Sequence, residues 1–230
     1  MMTITPLGSV SGYLARPSGS GPWSGLIVIH EWWGLDDQTI SIADRLADLG
    51  YITFAPDLFH GHHASLGDAE MASSLIDRYG PAAPSELETV FDALGSHPDC
   101  NGLIGSVGFC FGGRMSLALG LRRRLKAVCT FYGGRMHLLF DELHRLEAPV
   151  LGLFGERDQS IPKGTVQDFG RILDSLGIAH EIVVYPDCGH AFFRDTDPSV
   201  YHPAAAQDAW ERTRAFFALH LGPGAVKPAS

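Results

Sequence analysis

Cysteine is scarce in this chain. The four residues Cys100, Cys110, Cys129 and Cys188 include no CxxC pair, so reduced thiols rather than a disulfide framework are expected. Positive charge is also short: 17 Lys and Arg against 26 Asp and Glu leave a net charge of −9. That balance argues against nucleic acid or an anionic membrane as the main partner and favours a small molecule. No apolar stretch approaches bilayer length, and the opening residues MMTITPLGSVSG lack a basic region followed by an apolar run. A cytoplasmic protein without membrane contact is therefore expected. Internal repeats, low-complexity tracts and a clear linker are missing too. What is present is a 230-residue chain, 45% hydrophobic, with four Trp and thirteen Phe. Such a chain can bury one sizeable core, and a single domain over 1–230 is expected, as a monomer or weak homo-oligomer.

Apolar, β-rich runs of strand length lie at 25–30, 51–55, 103–108, 127–132, 150–154 and 180–185. Helical patterns fall between them at 39–49, 85–94, 111–121, 163–176 and 203–220. Asp36 and Asp37 are candidate N-caps of the first helix, and Ser85 with Glu88 reads as a capping box for the second. This alternation implies an α/β protein with a mostly parallel, doubly wound sheet. Residues 3–16 read as an antiparallel N-terminal edge, and 222–230 as a loose tail.

Ligands of such sheets sit beyond the carboxyl ends of the strands, which makes the residues just after each run informative. They are His30-Glu31-Trp32-Trp33-Gly34, then Cys110, then Gly155-Glu156-Arg157-Asp158, then Cys188-Gly189-His190. Cys110 stands in the frame Gly108-Phe109-Cys110-Phe111-Gly112, the spacing of a nucleophile elbow, and no GxSxG occurs to compete with it. With Gly at 27 of 230 positions, four cysteines would meet that frame by chance only about 0.06 times. A nucleophile, then an acid, then a histidine is the α/β-hydrolase order.

The residue types fit the chemistry. A helix N-terminus favours a thiolate at Cys110. His190 would serve as general base and later general acid, with Asp158 orienting its ring. The oxyanion would rest on the backbone N–H groups of Phe111 and Trp32. Glu31, directly after a buried run and before two tryptophans, is costly to place there unless paired or protonated. Glu156 is a rival to Asp158, and His180, His202 and His220 are further histidines.

The segments VIHEWWGL, YITFAPDLFHG, GSVGFCFGGR, VLGLFGERDQSIP and YPDCGHAFFRDT, in this order and spacing, resemble the dienelactone hydrolase family across nearly the whole chain. The resemblance implies an α/β-hydrolase fold and a Cys110, Asp158, His190 triad. It implies that Glu31 holds the resting thiol and takes its proton when substrate enters, and that Arg194 binds a substrate carboxylate. For a second clamp the segment MASSLIDRYGPAAPSELE offers only Arg78. No cofactor is implied.

A thiolate attacks activated esters well but is itself easily expelled, so Cys110 points to enol esters, lactones or thioesters rather than amides. Trp32, Trp33, Phe109, Phe111, Phe192 and Phe193 flank the catalytic positions as candidate pocket walls. His60, His62 and His63 fit no standard metal spacing and read as a loop rimming the pocket, so no metal is expected. A class I glutaminase would place its acid as His-x-Glu, whereas His190 is followed by Ala191-Phe192. A noncatalytic carboxylate-binding or oxidant-sensing protein, and a general carboxylesterase, are the remaining readings.

Overall fold

The computed structural model describes residues 4–222. Eight strands form one sheet: β1 (Ile4–Leu7), β2 (Val10–Ala15), β3 (Trp23–Ile29), β4 (Ile52–Pro56), β5 (Cys100–Phe109), β6 (Ala127–Phe131), β7 (Val150–Gly155) and β8 (His180–Tyr185). Their order is β1-β2-β4-β3-β5-β6-β7-β8. The β1–β2 and β2–β4 pairs are antiparallel and every later pair is parallel. The expected antiparallel edge is the β1–β2 hairpin; Thr3, its first expected residue, lies outside the described residues, as does the expected tail beyond Gly222.

Six α-helices cover the sheet: α1 (Asp37–Asp48), α2 (Ala69–Tyr79), α3 (Ala83–Gly95), α4 (Phe111–Gly120), α5 (Lys163–Ser175) and α6 (Pro203–Leu221), with a 3₁₀ segment at Met136–Arg145. β4, β6 and β7 are buried along their whole length, which is why their sequences are continuous apolar runs without alternation. β8 closes the far edge and keeps Val184 exposed.

Asp36, not Asp37, caps α1: its Oδ1 accepts from the Thr39 N–H at 3.0 Å and from the Thr39 hydroxyl at 2.8 Å. The expected capping box at Ser85 is not formed. α3 begins two residues earlier, at Ala83, so Ser85 lies inside the first turn and donates its hydroxyl to the Ala82 carbonyl at 2.8 Å. Two elements lack a clear signal in the sequence. α2 buries Ala72 and Leu75 and half-buries Ile76 and Tyr79 on the same face, a helical stripe only four residues long, and the 3₁₀ segment leaves Leu138 in solvent. Among the described residues no helix is long and apolar enough to cross a membrane.

The chain leaves β3 to build β4 on one side, then returns to build β5 on the other. The carboxyl ends of β3 and β5 thus flank a topological switch point, the usual place for a ligand in an open α/β sheet.

Candidate active site

Cys110 sits between the last residue of β5 and the first of α4 with φ 52° and ψ −112°, a left-handed conformation that costs a residue with a Cβ. Its surroundings hold it there. The Cys110 N–H donates to the Phe131 carbonyl at 3.0 Å, and the Cys110 carbonyl accepts from Arg114 N–H at 3.3 Å and Gly134 N–H at 3.2 Å. The flanking glycines are steric necessities: a Cβ on Gly108 would lie 2.0 Å from the Gly112 oxygen, and one on Gly112 would lie 2.2 Å from the Ile29 oxygen. The motif therefore allows the elbow to fold back on itself and against the end of β3.

Asp158 follows β7 and is buried. One carboxylate oxygen accepts from the backbone N–H groups of Ser160 (2.8 Å) and Ile161 (3.2 Å), and the other lies 2.6 Å from His190 Nδ1. The same carboxylate shapes its own turn and holds the histidine. Burial works against a charged imidazole at His190, but Asp158 and the adjacent Cys110 outweigh it and lift its pKa to about 11. Glu156, the rival acid, instead meets Lys163 at 3.2 Å. None of His180, His202 or His220 lines the cavity at Cys110.

Glu31 is buried, with Oε1 accepting from the Tyr132 hydroxyl at 3.0 Å and Oε2 from Arg194 Nη1 at 2.9 Å. Burial raises its pKa, against the pull of Arg194. Among the described residues these are its hydrogen-bond partners, and the resting contact with the Cys110 thiol that the family resemblance implies is not among them. Arg194 is equally occupied: its second Nη bonds Asp36, the N-cap of α1. The free guanidinium expected for a substrate carboxylate is thus engaged by two side chains of the protein.

Tyr132 and His30 carry parts of this site to which the sequence assigned no role. Tyr132 has φ 37°, and burial with the neighbouring Glu31 pushes its pKa well up, so the phenol remains a donor. Its ring stands edge-on to His190 at 5.0 Å. The available signal was its position, directly after β6, as Cys110 stands directly after β5. His30 is fully buried, its Nε2 accepting from the Leu58 N–H at 3.3 Å and its Nδ1 donating to the Glu31 carbonyl at 2.5 Å. Burial lowers its pKa, and the neutral ring pins the backbone that leads into Trp32.

A cavity of about 420 Å³ opens over Cys110 and His190, with Trp32, Trp33, Phe111 and Arg194 in its lining. Of the four cysteines only Cys110 is not buried. Phe192, expected on the pocket wall, is instead in the core, packed on Tyr132 and Tyr185 at ring separations of 5.5 and 5.0 Å. Phe109 and Phe193 likewise stack on each other in the core, at 5.6 Å. The histidine loop does not rim the cavity: His60 and His62 pack on the Tyr79 ring, and His60 bonds Glu86 at 3.0 Å. Among the described residues no three His, Cys, Asp or Glu side chains cluster as metal ligands.

The dienelactone hydrolase family model matches residues 10–221 of the chain. A protein of Escherichia coli provisionally named carboxymethylenebutenolidase is 34% identical over 230 residues, covering 93% of this chain and 84% of that protein. Protein usf of Aquifex pyrophilus is 30% identical, covering 92% and 94%. Among solved structures, a provisionally described dienelactone hydrolase from Klebsiella pneumoniae superposes with a TM-score of 0.83 at 30% identity, covering 95% of this chain and 98% of that one. A dienelactone hydrolase-like promiscuous phosphotriesterase from metagenomic libraries gives 0.86 at 25%, covering 96% and 98%.

Proposed function

The chain belongs to the dienelactone hydrolase family, hydrolases of esters and lactones, and from that membership we propose that Cys110, His190 and Asp158 carry the reaction through a thioester acyl-enzyme. The observation that supports it most is the 2.6 Å bond between His190 and buried Asp158, beside a cysteine held at positive φ over a cavity.

The thiolate of Cys110 attacks the substrate carbonyl, forming a C–S bond while the π pair moves onto oxygen. The oxyanion rests on the backbone N–H groups of Phe111 and Trp32. Phe111 is the first residue of α4, where a backbone N–H has no acceptor within the helix. Collapse expels the alkoxide or enolate, which takes a proton from the charged His190. The neutral imidazole then draws a proton from water, the resulting hydroxide adds to the thioester, and Cys110 leaves as thiolate. Asp158 keeps the ring aligned throughout. Glu31 accepts the proton of the resting thiol when substrate enters, and to do so its carboxylate turns off Tyr132 or Arg194. Trp32 and Trp33 enclose the substrate. The reaction belongs to the cytoplasm, where reducing conditions keep Cys110 a thiol, and to a monomer or weak homo-oligomer.

Replacing Cys110 with Ala is expected to lower kcat for 4-nitrophenyl acetate by about 10³-fold or more and to remove the acetyl adduct seen by mass spectrometry after rapid quenching. Full activity in Cys110→Ala would overturn the assignment. Dienelactone assayed alongside separates lactone hydrolysis from a general carboxylesterase.

A further inference from the structure

Three arginines line the cavity at Cys110, and they are in different electrostatic states. Arg194 is paired through its two Nη atoms with Glu31 and Asp36, although its Nε, like that of Arg114, is buried without a partner. Arg114 and Arg135 have no side-chain hydrogen bond or ion pair among the described residues, and Arg114 Nε is buried without a partner. Asp77 and Asp197 line the same cavity, but neither pairs with these arginines, and Asp197 is bonded to Ser199 at 2.6 Å. Arg78, the arginine expected from the cap region, lies against the Tyr79 ring and does not line the cavity.

Both arginines are tied to the nucleophile through the backbone. Arg114 donates its N–H to the Cys110 carbonyl, and Gly134, the neighbour of Arg135, donates to the same oxygen. Arg114 also lies over the Phe111 ring, 5.8 Å from its centroid. Arg135 has φ 59° and is exposed at the start of the 3₁₀ segment. Burial and the like charge of Arg135 lower the pKa of Arg114, against the pull of the neighbouring Cys110 sulfur, as expected for a guanidinium with no carboxylate partner. A partly buried cation of this kind is costly unless a bound anion completes it.

We propose that Arg114 and Arg135 form an anion subsite that binds a carboxylate of the ester or lactone substrate, a role distinct from that of Arg194, which is held by Asp36 and, in the resting site, by Glu31. The substrate role rests on the hydrolase reading above; binding of the anion does not. A guanidinium pair suits a planar carboxylate, which can accept two parallel hydrogen bonds. The subsite is built into the elbow, so it orients the substrate relative to the sulfur.

The test uses glutarate to protect Cys110 of the intact protein from iodoacetamide, with alkylation at Cys110 followed by mass spectrometry. Glutarate is expected to protect the wild type, and Arg114→Gln and Arg135→Gln are expected to need about tenfold more of it, the loss of a charge-assisted hydrogen bond. Arg114→Lys should fall between. Exposed Arg135 provides a variant that folds if Arg114→Gln does not. Equal protection in all variants, or none in the wild type, overturns the proposal, and loss of protection only in Arg194→Gln hands the anion to Arg194. In parallel, the kcat/KM ratio of 4-nitrophenyl hydrogen glutarate to 4-nitrophenyl acetate should fall by about tenfold in Arg114→Gln. If no ester is hydrolysed yet protection follows Arg114, the hydrolase reading fails and the anion subsite stands.

Discussion

At the scale of single residues, the site is an arrangement of occupied and unoccupied charges. Glu31 and Arg194 are spent on each other and on Tyr132 and Asp36, whereas the Arg114 guanidinium has no carboxylate partner among the described residues and meets the Phe111 ring. His190 has a titration consequence. Its folded-state pKa of about 11 stands above the value of about 6.5 expected in an unfolded chain, so between these limits the folded protein holds more protons. Stability from this group is complete below about pH 6.5 and is lost as pH rises through the folded value. The slope of unfolding free energy against pH, measured with urea between pH 7 and 10, should therefore be less negative in His190→Gln than in the wild type. Identical slopes would show that His190 does not hold its proton through this range.

At the scale of elements, the elbow is set by its glycines more than by its cysteine. A Cβ at Gly112 meets backbone oxygens of both Ile29 and His30, at 2.2 and 2.5 Å, and backbone cannot move aside as a flexible side chain can. Gly112→Ala should cost about 3 kcal/mol and abolish activity. Gly164, in the first turn of α5, has no atom within 4 Å of a built Cβ and no positive φ, so Gly164→Ala should gain about 0.5–1 kcal/mol by removing freedom from the unfolded chain. Denaturant midpoints of the two variants check both signs. Asp36 shows how closely element and site are joined: one carboxylate oxygen caps α1 and the other bonds Arg194.

At the scale of the whole molecule, the site is assembled by the sheet. Glu31, Cys110, Tyr132, Asp158 and His190 follow β3, β5, β6, β7 and β8, which are consecutive neighbours in one sheet. Activity toward 4-nitrophenyl acetate and far-UV circular dichroism should accordingly be lost at the same urea concentration, as in a single cooperative transition. Earlier loss of activity would mean that the loops after β7 and β8 open before the sheet.

The sequence by itself determined what depends on near neighbours: the continuous apolar runs that became buried parallel strands, the elbow glycines, and an aspartate cap for α1, narrowed to Asp36 or Asp37. Each is set by side-chain period or by φ, and so is written within a few residues. Weak local patterns left α2 and the 3₁₀ segment unread: the core-facing stripe of α2 is short and only half-buried at Ile76 and Tyr79, and the 3₁₀ segment leaves Leu138 in solvent. The tertiary structure alone decided which distant groups meet. Arg194 and Glu31 are 163 positions apart, and Tyr132 and Glu31 are 101 apart; strand order brings them together. It placed Phe192 in the core rather than on the cavity wall and left Arg114 without a carboxylate partner beside Cys110. Local pattern can say which residues end strands, but charge compensation is a property of three-dimensional neighbours, and only the packed sheet supplies them.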